Sequence, residues 1–273
     1  MTKQARQLLE VLNILRPMEW IDIHAHLNML EEGVEAAIQN AKAVGVKKII
    51  TIGTQPEDHP VVLEIARKYY PEVYCTLGVH PHDGGTYTEA AGKFIEEHVS
   101  EPCVVAVGEI GLDYYYDNSP RDLQKEAFRA QLEIAKRTGM PVEIHTRDAE
   151  EDTIEILKEF KGEVNGLIHC FTGTEWLARQ ALDVGFNISI SGVVTFKNAD
   201  SLRETVRMLP LDRIHVETDS PFLAPIPMRG KKNTPAYVVH TAKFVADLKG
   251  ISLEQLCEQT RINALKMFPK IQW

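Results

Sequence analysis

The 273-residue chain alternates, eight times over, a short apolar stretch with a longer segment of helical periodicity. The apolar stretches cover 19–24, 47–52, 73–79, 104–109, 141–145, 166–169, 186–190 and 213–219. Helical patterns lie between them, for example over 33–44, 122–138, 149–160, 175–184 and 199–207, and two more, 236–248 and 253–267, close the chain. Nearly continuous apolar strands belong in a parallel sheet buried on both faces. Eight βα units in about 250 residues fit a (β/α)8 TIM barrel. A doubly wound open sheet is the competitor, but no glycine-rich nucleotide fingerprint follows the first strand. The expectation is an α/β protein with one barrel domain over residues 18–273. Ahead of it, Leu8, Leu9, Val11, Leu12 and Leu15 recur at near-helical spacing up to Pro17, which predicts a helical extension over residues 1–17. Whether that helix caps the barrel or Met18 is an alternative start stays open.

The strand ends carry the chemistry. His24 and His26 end the first strand, Glu109 the fourth, His145 the fifth, His169 the sixth and Asp219 the eighth. All fall at C-terminal strand ends, the face on which barrel active sites are built. Separate structural reasons would be needed to bury each of these groups, whereas one dinuclear centre accounts for all of them. Four imidazoles and two carboxylates suit two borderline divalent ions such as zinc or manganese better than calcium, and magnesium stays open as the identity. Strand eight closes against strand one, so His24, His26 and Asp219 are expected to hold one ion. His145 and His169 would hold a second, with Glu109 bridging. Two ions about 4 Å apart activate a water and offset charge on a leaving group, which makes Asp219 both ligand and general base and Glu109 a catalytic bridge. Strand alternation points Asp22, Glu143 and Glu217 into the barrel beneath His24, His145 and Asp219. There they either accept hydrogen bonds from ligating imidazoles or pair with a lysine or arginine in the barrel floor.

Several stretches together resemble the TatD family of metal-dependent hydrolases, among the amidohydrolase-like barrels. They are Asp22-Ile23-His24-Ala25-His26-Leu27, Gly78-Val79-His80-Pro81-His82, Gly108-Glu109-Ile110-Gly111-Leu112-Asp113-Tyr114, His145-Thr146-Arg147-Asp148-Ala149, His169-Cys170-Phe171-Thr172-Gly173, Thr195-Phe196-Lys197-Asn198-Ala199, Glu217-Thr218-Asp219-Ser220-Pro221 and Arg229-Gly230-Lys231-Lys232-Asn233. The likeness runs over roughly 18–268. It implies a barrel, a divalent-metal site on the residues named above, and hydrolase activity; members of known activity are mostly deoxyribonucleases, several acting from 3′ ends. Asn28 and Thr234 depart from the acidic residues many relatives carry there, which bears on substrate preference and removes no ligand.

The remaining candidates each admit two readings. His80, with His82 beside it, contacts a substrate phosphate or packs a loop. Arg147 grips a phosphate or pairs with Asp148 or Asp113. Arg229, with Lys231 and Lys232, and more weakly Lys197, captures phosphate or is solvated surface. Tyr114, Tyr115 and Tyr116 stack bases or pack their loop. His59, His98, His215 and His240 read as structural or surface residues, and Cys170, of opposite parity to His169, should face the helices. The net charge, 30 − 39 = −9, repels nucleic acid and anionic membrane from the molecule as a whole, so an anionic substrate must be drawn by the metal or a cationic loop. Cys75, Cys103, Cys170 and Cys257 form no Cys-x-x-Cys motif, as in reduced, cytoplasmic proteins. No signal peptide or membrane-spanning run is visible. The leading expectation is a divalent-metal-dependent deoxyribonuclease that binds DNA weakly. Alternatives are an amidase, lactonase or aminoacyl-tRNA deacylase on the same site, or a metal-binding protein without catalysis.

Overall fold

The apolar stretches pair in chain order. A computed structural model describes residues 18–273, so the helix expected over residues 1–17 lies outside the described residues. The strands are β1 (Trp20–Ala25), β2 (Val46–Ile52), β3 (Val73–Leu77), β4 (Val104–Asp113), β5 (Val142–Arg147), β6 (Gly166–Ile168), β7 (Asn187–Ile190) and β8 (Ile214–Val216). They form one parallel sheet in the order β1 to β8. The seam is closed just beyond β8: Ala25 bridges Ser220, the Asp219 amide donates to the His24 carbonyl (2.9 Å), and the His26 amide donates to the Ser220 carbonyl (2.7 Å). The chain is therefore a (β/α)8 barrel.

The helices are α1 (Val34–Ala43), α2 (His59–Lys68), α3 (Glu89–His98), α4 (Arg121–Thr138), α5 (Glu150–Glu159), α6 (Glu175–Asp183), α7 (Asp200–Met208), α8 (Val238–Lys249) and α9 (Leu253–Met267). In α4 the buried positions Gln124, Ala127, Phe128, Gln131, Leu132, Ile134 and Ala135 recur every three or four residues, the stripe that lays a helix on a sheet. Ser252 and Gln255 start α9 with a reciprocal capping box. No helix among the described residues is long and apolar enough to cross a membrane.

Two apolar layers result. One lies between sheet and helices and includes Trp20, Ile49, Val107, Phe128, Ile144 and Phe186. The other fills the lower barrel with Ile21, Ile23, Ile50, Ile52, Tyr74 and Leu167, closed off by Met267, Phe268 and Ile271 at the end of α9. The Gln272 amide donates to the Tyr74 hydroxyl (2.8 Å), which pins this plug.

Strict alternation fails in β1, and the reason is visible. The register with β2 slips between Asp22 and Ala25, where Asp22 aligns with Ile49 and Ala25 with Thr51. Asp22 therefore shares the side of Ile49, while Ile21 and Ile23 join the inner plug. This corrects the expectation that Asp22 lies inside the barrel beneath His24. Its carboxylate accepts instead from the Thr218 amide (2.8 Å) and hydroxyl (2.6 Å), stitching the β1–β8 seam.

His215 and Asn187 illustrate a buried polar pair in this lower region. The Asn187 amide donates to His215 Nε2 (2.9 Å), and Asn187 Oδ1 accepts from Arg213 Nε (2.6 Å). Burial, with help from Arg213, pulls the His215 pKa down to about 3. The unfolded chain, at about 6.5, takes the proton first. The contribution is thus complete above pH 6.5 and is lost as pH falls toward 3, a swing on the order of 5 kcal/mol. Urea unfolding of His215→Gln across pH 3–7 should show a flatter pH dependence than the wild type; parallel curves would refute this assignment.

Candidate metal centre

Glu109 lies at the centre of the C-terminal barrel mouth and is 3% exposed. Its two oxygens face different histidines. Oε1 is 2.7 Å from His169 Nε2, 3.0 Å from His145 Nδ1 and 3.3 Å from His80 Nε2, while Oε2 is 3.6 Å from His24 Nε2. Asp219 Oδ1 stands 3.3 Å from His26 Nε2 and 3.8 Å from His24 Nε2. All six residues expected as ligands are thus brought to one place.

The backbone bends to achieve this. β4 runs to Asp113, four residues past its expected end, and slips register with β5 between Val107 and Ile110, around Glu109. Glycine makes the approach possible. A Cβ on Gly78 would fall 2.5 Å from the Gly108 carbonyl carbon, and one on Gly108 2.8 Å from the Glu143 Cβ. On the other side β6 and β8 stop before His169 and Asp219, and Cys170 (φ 41°) and Asp219 (φ 56°) take left-handed conformations. The turn at Cys170 corrects the expectation that its thiol faces the helices: it lines the cavity and sits 3.1 Å from Ser191 Oγ. Helix α4 braces the opposite wall, where the Gln131 side chain bonds the backbone of Val79 and Gln124 that of Asp113.

Behind the imidazoles stand carboxylates. His24 Nδ1 donates to Glu143 (2.9 Å), and His145 Nε2 donates to Asp113 Oδ2 (2.9 Å). His169 Nδ1 lies 3.4 Å from Glu217 Oε1, which also accepts from the Cys170 amide (2.7 Å). Glu143 thus serves a histidine across the barrel rather than its own strand's His145. Asp113 was missed in the sequence as a support for His145. Its signal was the parity Glu109, Gly111, Asp113, legible only if β4 is known to continue. Asp113 also receives His82 Nε2 (3.1 Å) and the amides of Tyr115 and Tyr116.

The donor set fits a divalent cation. His24 Nε2 and His169 Nε2 are buried and have no hydrogen-bond partner, although both face Glu109. Three overlapping groups each gather donor atoms within 4.8 Å: His24, His26 and Asp219; His24, Glu109 and His169; His80, Glu109 and His145. His145 and His169, expected together, meet through Glu109 and keep their rings 5.7 Å apart. The electrostatics point the same way. Burial opposes ionisation, yet the neighbouring imidazoles hold Glu109 well below the carboxylate range and keep Asp219 low. Burial also opposes charge on the imidazoles, but Glu109 lifts His169 to about 10 and, with Glu143, holds His24 well above its usual value. The cluster therefore draws positive charge, which a metal ion supplies in competition with protons. His80 behaves differently: burial takes it down to about 4.

A cavity of ≈ 700 Å³ opens over this centre, lined by His26, His80, Glu109, His145, His169 and Asp219 and, farther out, by Arg147, Tyr116, Phe196 and Phe222. Arg147 stacks on Tyr115 (3.8 Å to the ring centroid) and forms no ion pair with Asp148 or Asp113. Lys197 and Arg229 lie outside the cavity lining, with Arg229 over the Phe196 ring (4.0 Å); Lys232 pairs with Glu31 (3.2 Å). Tyr115 and Tyr116 are more than half exposed, while Tyr114 donates its hydroxyl to Asp152 (2.5 Å) and packs its loop. Thr234 donates to Glu32 (2.5 Å).

Residues 21–269 match the model of the TatD-related DNase family. The chain belongs to that family. Its relatives include the Bacillus subtilis protein YabD, 42% identical over 250 residues (90% of this chain, 98% of that protein), and the Escherichia coli K12 protein YcfH, 39% identical over 254 residues (91% and 95%), both described as uncharacterized metal-dependent hydrolases. The crystal structure of YjjV, a TatD homolog from Escherichia coli K12, superposes with a TM-score of 0.87 at 27% identity, covering 93% of this chain and 99% of that one. This TatD-family chain is a metal-dependent hydrolase with a TIM-barrel fold.

The buried Glu143–His24 hydrogen bond generates a test. Glu143→Gln keeps the shape but weakens the acceptor that orients His24, so calorimetric titration should show metal affinity falling roughly 10–100-fold. Unchanged affinity would remove the supporting role of Glu143.

Proposed function

We propose that the protein is a phosphodiesterase acting on DNA, with two divalent ions, zinc, manganese or magnesium, and with release of nucleotides from 3′ ends. The observation that carries this is Glu109, whose Oε1 faces His145 and His169 while its Oε2 faces His24. His24, His26 and Asp219 would hold one ion and His145 and His169 the other, with Glu109 between. Many amidase and lactonase barrels fill the bridging position with a carbamylated lysine; a carboxylate there favours phosphoryl chemistry. The family description and the exposed aromatic rim of Tyr115, Tyr116 and Phe222 support a nucleic-acid substrate whose bases stack.

Bound ions would lower the pKa of a water and offset charge on the phosphate. The chain's own groups do the rest. Asp219 stays ionised despite burial and takes the water proton on Oδ2, since Oδ1 faces His26 and His24. Glu143, Asp113 and Glu217 keep the imidazoles in one orientation. Arg147, shelved on Tyr115, offers a fork of donors to a phosphate at the cavity wall. With a net charge of −9, the remaining surface adds no attraction for DNA, so binding is weak and engagement brief.

End-labelled single-stranded and duplex DNA should lose terminal mononucleotides in the presence of added metal. Chelation should stop this, and Asp219→Asn should reduce the rate by several orders of magnitude. Activity surviving in Asp219→Asn would overturn the mechanism; hydrolysis of amide or lactone panels with intact DNA would overturn the substrate. In elemental analysis, the His24→Ala/His26→Ala double variant is expected to lose one ion and keep the other.

A further inference from the structure

His80 groups with Glu109 and His145 as though it were a metal ligand, its Nε2 lying 3.3 Å from Glu109 Oε1. Its other nitrogen says otherwise. The backbone N–H of His82 donates to His80 Nδ1 (3.1 Å). An imidazole whose Nδ1 accepts a hydrogen bond carries its proton on Nε2. For Nε2 to ligate a metal, the proton would have to sit on Nδ1, aimed at the His82 amide hydrogen.

The contrast with the neighbours is sharp. His24 donates through Nδ1 to Glu143 and His145 through Nε2 to Asp113, so the nitrogen each leaves for a cation is the one on the side of Glu109, and for His24 also of Asp219. His169 has Glu217 on its Nδ1 side and Glu109 on its Nε2 side. Carboxylates stand behind these three rings; a backbone donor stands behind His80. The backbone around His80 is held in place as well. Its amide donates to the Thr54 carbonyl (2.7 Å), the Gln131 side chain grips Val79, and the turn over Pro81–Thr86 begins with His80 as its N-cap.

We propose that His80 is not a ligand but a fixed Nε2–H donor, directed into the cavity to hydrogen-bond a non-bridging oxygen of the scissile phosphate. It thereby stabilises the charge that collects on the phosphate oxygens in the transition state. The identity of that oxygen rests on the phosphodiesterase reading; the tautomer and the exclusion from the metal shell do not. Once the Glu109 oxygens are engaged by cations, the Nε2–H has the substrate as its acceptor. A preorganised donor of this kind is worth roughly 10²–10³ in rate, and because the charge develops in the transition state it acts on kcat more than on KM.

Two measurements test it together. In zinc-loaded protein with 15N-labelled histidine, multiple-bond proton–nitrogen spectra, with His80 identified by its absence from His80→Gln, should show Nε2 protonated and Nδ1 bare. In parallel, His80→Ala and His80→Gln should bind as much metal as the wild type by elemental analysis. In DNA cleavage kcat should fall about 100-fold in His80→Ala with KM nearly unchanged, and partly recover in His80→Gln, whose amide restores an N–H. A bare Nε2 in the loaded protein, or lost metal in both variants, overturns the proposal. So does an unchanged kcat in His80→Ala. If wild-type protein loads metal but cleaves no DNA, the phosphodiesterase reading fails and the phosphate-donor role with it, while the spectra and metal content still decide the tautomer.

Discussion

A carboxylate buried in a barrel interior is costly unless charge or hydrogen bonds compensate it, and Glu109 is such a group. Its compensation comes from imidazoles carried by the ends of several strands, and those imidazoles are in turn held by Glu143, Asp113 and Glu217. Removing Glu109 would therefore leave imidazole nitrogens facing one another without a common partner. The whole upper barrel is a set of polar groups that make sense only around that carboxylate and the cations it attracts.

The sheet gives up regularity to build this. An ideal barrel spreads its strand ends on a ring, whereas a metal centre needs donors within one coordination distance. The register breaks in β1 beside His24 and in β4 around Glu109, and β6 and β8 end just before His169 and Asp219, whose amides still bond the Ile144 and His24 carbonyls of the neighbouring strands. The lower barrel has no such demand, and there Ile21, Ile50, Tyr74 and Phe268 pack as an ordinary apolar plug. Stability and chemistry are separated along the barrel axis, as is general for this architecture.

Much of this was legible beforehand. Eight apolar stretches alternating with helices fit a barrel, in which strands with two apolar faces are covered by helices on one side and by each other on the other, and the missing glycine-rich fingerprint after the first strand weighs against the open sheet. Placing His24, His26, Glu109, His145, His169 and Asp219 at strand ends needed only residue types and strand limits. A period of two misleads where it runs through an irregularity. It places Asp22 in the interior, whereas the residue lies at the seam with Thr218. It turns Cys170 toward the helices, whereas a left-handed turn brings it to the cavity. Asp113 went unnoticed as a partner of His145 because β4 continues farther than its apolar run.

The sequence by itself determined the fold class, the face of the barrel that carries chemistry and the donors gathered there, since these follow from hydrophobic period and residue type. Only the tertiary structure decided how those donors are paired. Which carboxylate backs which imidazole depends on contacts across the barrel and on local register breaks, neither of which has a sequence period. The same holds for the difference between His24 and His80: both are histidines near a strand end, and only the tertiary structure puts a side-chain carboxylate behind one and a backbone N–H behind the other.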